Sequence, residues 1–147
     1  MKKILIASLL SVMAFSACAN EFTVSDLAKN KQTQALFTQM TRHQTLPDWV
    51  VKGGTSSATQ EVTIGGVRYQ VLQSCKPHDC AAQSIAVLYS PEAKKMSGVF
   101  SSTAENGAEQ QLRWLNVPDE LTIDGKTVLF AALSGSLDNH PQSFNFK

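Results

Sequence analysis

Apolar and polar positions alternate along residues 61–117, whereas on either side of that stretch the apolar positions recur at helical spacing. Val62 and Ile64 precede Gly65-Gly66, and Val67, Tyr69 and Val71 follow it, which predicts a hairpin closed by a two-residue glycine turn. Residues 84–89 are apolar on both faces, with Ile85, Val87 and Tyr89 on one and Ala86 and Leu88 on the other. That is the pattern of a central strand covered on each side. Residues 96–101 and 110–117 complete a set of five strands, separated by Pro91-Glu92-Ala93-Lys94 and by Glu105-Asn106-Gly107. Short connections join antiparallel neighbours, so the expected sheet is a meander.

Residues 23–29 offer Ser25 as a helix cap with Asp26 in the first turn, and residues 31–43 continue with Ala35, Leu36 and Met40 at helical spacing. Residues 46–51 read as a turn that packs Trp49 into the core, because tryptophan has much apolar area to hide. Pro118-Asp119-Glu120 suits a helix start, and residues 126–133 carry Val128, Leu129, Ala131, Ala132 and Leu133 before Gly135 ends the run. The tail through Phe144 and Phe146 reads as loop with two aromatic pegs. Helices before and after one sheet can cover both of its faces. The expected class is therefore α/β of the α+β kind, a five-stranded antiparallel meander between N-terminal and C-terminal helices in a three-layer α-β-α arrangement.

At 147 residues the chain suits one domain with a real core. Met1-Lys2-Lys3, an apolar run over residues 4–15 and Ala17-Cys18-Ala19 have the form of a secretory leader, so residues 1–19 are assigned as signal peptide and 20–147 as the mature domain. A competing cut at Ser16-Ala17-Cys18 would give a lipoprotein acylated on Cys18, and Phe15 fits that site poorly. Loss of Lys2 and Lys3 takes the formal charge from +1 to −1, which leaves no basic excess for nucleic acid. Cys75 and Cys80 are then the only cysteines, in a compartment where disulfides persist.

Those cysteines bound Cys75-Lys76-Pro77-His78-Asp79-Cys80, which falls between the second and third expected strands and so at a hairpin tip. A disulfide there would remove about 2 kcal/mol of unfolded-chain entropy, and Pro77 fixes one further torsion. One reading is a plain structural staple; the other is a preorganised loop that carries Lys76, His78 and Asp79 into a partner's cleft. Other chemistry fits less well. Zinc would want four ligands, and His43 and His140 are remote in sequence. A redox pair would have two intervening residues rather than four. A small cell-envelope enzyme using His78 and Asp79 as acid/base groups is the rival function, although no nucleophile motif accompanies them.

The ring, together with Leu46-Pro47-Asp48-Trp49-Val50, Lys52-Gly53-Gly54, the run from Asp124-Gly125-Lys126 to Gly135-Ser136-Leu137, and Asn139-His140-Pro141, resembles the inhibitor of vertebrate lysozyme family, Ivy. The resemblance covers essentially the mature chain. It implies a periplasmic protein with no catalytic role and no cofactor, which inserts the stapled loop into the active-site cleft of c-type lysozyme. By the same resemblance Cys75 and Cys80 form the staple, His78 meets the lysozyme carboxylates, and Lys76, Pro77 and Asp79 shape and support the loop. The implied partner is c-type lysozyme, with neither nucleic acid nor, once the leader is gone, membrane. A homodimer stays open beside a monomer.

Overall fold

The computed structural model describes residues 22–147, so the leader assigned to residues 1–19, with Cys18, lies outside the described residues. The first helix, α1 (Val24–Lys29), starts at Thr23, whose extended backbone places its hydroxyl 3.2 Å from the Asp26 N–H. The Asp26 carboxylate accepts the Thr23 N–H at 2.8 Å in return, which completes a capping box. The cap expected at Ser25 is thus Thr23, because only from there does Asp26 stand at the third helical position and reach back. After α2 (Gln34–Thr41), which buries Phe37 and Met40, the turn expected around Trp49 closes into one helical turn, α3 (Trp49–Lys52). Val50 is its buried residue, and Trp49 is only half-buried.

Six strands form one antiparallel sheet: β1 (Thr55–Ser56), β2 (Gln60–Ile64), β3 (Val67–Cys75), β4 (Gln83–Ser90), β5 (Lys95–Thr103) and β6 (Gln110–Leu115). The five expected strands follow one another as a meander. The sixth, β1, shares the outer edge of β3 with β2: β2 pairs with β3 from Val67 to Val71, and β1 pairs with Ser74 and Cys75. β6 ends at Leu115, short of the expected Val117, because Asn116 turns to φ +48°. Its side-chain amide donates to the Met96 carbonyl at 3.0 Å, and its carbonyl accepts from Ser97 Oγ at 2.7 Å.

β4 is the centre of the core, with Ile85, Ala86, Val87 and Leu88 all at 0 % exposure. Alternate residues of a strand face opposite sides, so these four divide between two apolar clusters. Ile85, Val87 and Tyr89 pack with Val24, Leu27, Phe37, Met40 and Val50 from the three N-terminal helices. Ala86 and Leu88 pack with Val128, Leu129 and Ala132 of α4 (Asp124–Ser134) and with Leu137 of α5 (Ser136–Asn139). Each of the larger aliphatic side chains contributes about 1.5–3 kcal/mol by leaving water, so the strand is committed to the interior from both sides. Gly135 takes the left-handed conformation that ends α4, at φ +79°.

The tail does more than supply two pegs. Phe144 and Phe146 pack against the C-terminal cluster, and Phe146 also bonds along β2, donating to Thr63 O at 2.8 Å and accepting from Gly65 N at 3.0 Å. Among the described residues no helix is long and apolar enough to cross a membrane.

Candidate functional site

The β3–β4 ladder ends at the pair Cys75 and Ser84, and one more bond, from Lys76 N–H to Gln83 O at 3.0 Å, closes the base of the connection. Beyond it the chain makes two successive turns, Asp79 N–H to Lys76 O at 3.0 Å and Ala82 N–H to Asp79 O at 3.1 Å. A disulfide joins Cys75 to Cys80, whose Cα atoms are 4.8 Å apart. The hairpin tip read from the sequence is therefore a closed ring, and all six residues singled out there lie in it.

Within the first turn Pro77 holds the second position and His78 the third, at φ +63°. This is the order of a type II turn, which fixes φ with proline and then asks for a residue able to enter the left-handed region. Glycine does so without penalty, whereas an L side chain costs about 1–2 kcal/mol there. The histidine is thus not what the local backbone prefers. Its position is exposed, as are those of Pro77, Asp79 and Cys80, while Lys76 and Cys75 are half-buried.

Lys76 Nζ donates to Asp79 Oδ2 at 3.3 Å, so the two charged residues of the turn engage each other. Among the described residues the His78 side chain makes no hydrogen bond of its own. The ring thus presents an exposed imidazole next to a half-exposed ion pair made within the same turn. His43 and His140 are exposed, His43 beside Arg42 and Trp114 in a surface depression of about 210 Å³. No three His, Cys, Asp or Glu side chains gather as a metal site among the described residues.

Both legs of the ring are held by neighbouring elements. On the Cys75 side β1 runs alongside, and on the other side Thr103 N–H of β5 donates to Ala82 O at 2.8 Å. Trp49 Nε1 donates to Gln83 Oε1 at 2.8 Å, and its ring lies 6.2 Å from that of Phe100. The sequence reading missed Gln83, Gly54 and the β1 pair. Gly53-Gly54 after an apolar run signals a chain reversal, yet nothing in the sequence says which strand end it then meets.

An exposed loop locked at one end of a sheet is suited to presenting side chains to a partner at low entropic cost. The model of the family described as Inhibitor of vertebrate lysozyme (Ivy) matches residues 32–124, and the chain belongs to that family. The chain is 54 % identical over 137 residues to the inhibitor of vertebrate lysozyme of Escherichia coli K12, covering 92 % of this chain and 87 % of that protein. The inhibitor of E. coli O157:H7 matches equally well. An uncharacterized protein of Yersinia pestis is 30 % identical over 107 residues, which is 67 % of this chain and 70 % of that one.

Proposed function

We propose that this protein inhibits c-type lysozyme by placing the ring of residues 75–80 in the enzyme's active-site cleft, with His78 between the catalytic carboxyl groups. The observation that carries this reading is His78 itself, exposed at the tip of a disulfide-closed turn and held at φ +63°, where glycine would be easier. A residue kept in an unfavourable backbone region points to a demand from outside the fold. Retaining glycosidases hold two carboxyl groups about 5 Å apart around a transition state with positive character. An imidazole inserted there meets acceptors already arranged for charge, and the resulting hydrogen bonds are of the stronger, charge-assisted kind.

Lys76, Pro77 and Asp79 shape the turn, and Cys75 and Cys80 hold it. The protein supplies no chemistry in this account; it supplies shape and a donor. Processing after residue 19 would deliver the mature domain, starting at Asn20, to the periplasm, where blocking lysozyme protects peptidoglycan. The test is to titrate the purified mature protein into c-type lysozyme and follow lysis of peptidoglycan. Stoichiometric loss of lysis supports the reading, and undiminished lysis at high excess removes it.

A further inference from the structure

The block from Trp49 to Ser56 grips the ring at both of its legs. On one leg, Thr55 and Ser56 pair with Cys75 and Ser74. On the other, the Trp49 indole donates to Gln83 Oε1 at 2.8 Å, and the backbone carbonyl of that same Gln83 accepts the Lys76 N–H at 3.0 Å. Gly54 makes the close passage between them possible. A Cβ there would collide with Ser74 Oγ and would lie 2.5 Å from the Cys75 carbonyl oxygen and 2.9 Å from Trp49 Cε3. Two of these neighbours are hard to move, since one is backbone of the ring's first residue and the other is an indole packed beside Phe100.

We propose that Trp49 and Gly54 are positioning residues for inhibition: they form a bracket that fixes the angle at which the ring leaves the sheet and so where His78 points. This deepens the function proposed above and rests on it. The disulfide fixes the ring's internal shape, but it lies wholly within residues 75–80 and cannot fix the ring's direction relative to the domain. The bracket can, because α3 packs with the N-terminal helices and β1 pairs with Ser74, just outside the ring, as well as with Cys75. Trp49 is half-buried rather than sunk in the core, which fits a tryptophan whose polar edge has a task of its own.

The experiment uses Trp49→Phe, which keeps an aromatic ring and removes the donor, and Gly54→Ala, each alone and combined with His78→Ala. Inhibition of a c-type lysozyme is measured together with amide hydrogen exchange of the free protein. Trp49→Phe should weaken inhibition about tenfold, the scale of one lost hydrogen bond. In the His78→Ala background the same change should weaken it less than about twofold, because the bracket acts through His78, and coupled sites are not additive. In the free protein the Lys76 amide should exchange faster in Trp49→Phe while that of Val87 stays protected. Gly54→Ala should show the same dependence on His78. Undiminished weakening in the His78→Ala background, or unchanged exchange at Lys76, overturns the bracket. A natural protein without effect on lysozyme removes the function proposed above, and the exchange result then decides the bracket separately.

Discussion

Lys76 Nζ lies 3.3 Å from Asp79 Oδ2, so an ion pair spans the two ends of the turn whose tip is His78. Both side chains are about half exposed, at 44 % and 50 %, and water screens the attraction accordingly. Lys76→Ala should therefore lower stability by less than about 1 kcal/mol, as read by urea denaturation. The Asp79 N–H to Lys76 O bond survives that change, and with it the turn. Inhibition should fall by no more than a few fold; a loss as large as that of His78→Ala would mean that Lys76 itself enters the cleft.

His78 should show opposite effects on folding and on inhibition. His78→Ala removes the donor and leaves the partner's acceptors unpaired, a loss of roughly 2–4 kcal/mol in binding. His78→Gly should be equally poor as an inhibitor, yet should melt no lower than the natural protein, since glycine relieves the left-handed backbone at φ +63°. Relief of about 1–2 kcal/mol is partly offset by the greater freedom of glycine in the unfolded chain. A clear drop in melting temperature for His78→Gly would show that the imidazole serves the fold rather than a partner.

The sheet was legible because its residues obey a local rule. Alternation at Val62 to Val71 and the double-sided run at Ile85 to Tyr89 each follow from which faces are covered, and that coverage repeats along the strand. β1 escaped because Thr55 and Ser56 are both exposed and meet β3 through backbone and the hydroxyls of Ser56 and Ser74, leaving no apolar trace. The cap moved from Ser25 to Thr23 for a related reason, since either hydroxyl could serve and only the reach of Asp26 decides. At the site, the cysteine spacing and Pro77 announced a closed turn. The left-handed backbone of His78 runs against the preference of its own residue type, and the hold of Trp49 on Gln83 spans 34 residues of sequence, which no local pattern encodes.

Acid should weaken α1 in a predictable way. The Thr23 backbone N–H, and then its hydroxyl, bond to the Asp26 carboxylate and hold its pKa below the ordinary carboxylate value. A folded-state pKa below the unfolded one stabilises the fold at pH values above the unfolded pKa of about 4, and that stabilisation is lost as pH falls through the folded pKa. Asp26→Asn should lower stability at neutral pH by about 1 kcal/mol, the usual scale of a cap, and should flatten the decline below about pH 4. Denaturation curves at several pH values compare the two proteins. Parallel declines would assign the acid sensitivity to other carboxylates.

The staple and the fold should separate when Cys75 and Cys80 are both replaced by serine. The disulfide closes only a short ring, so its loss restores about 2 kcal/mol of unfolded-chain entropy, a tolerable fraction of the stability of a domain this size. The β3–β4 ladder from Gln70 to Cys75, the Lys76 N–H to Gln83 O bond and the Thr103 N–H to Ala82 O bond do not involve sulfur. The variant should accordingly keep its sheet and helices by circular dichroism and unfold in one transition at a lower temperature. Its ring, however, keeps only Pro77 and the Asp79 N–H to Lys76 O bond to hold His78 left-handed, and the rest of its ordering must come on docking instead of beforehand. Inhibition should fall by more than the loss of stability would explain, with the deficit in dissociation rather than association, because a ring that visits other shapes leaves the cleft sooner. An unfolded variant would make the ring a structural element; a folded variant of undiminished potency would remove preorganisation from the account.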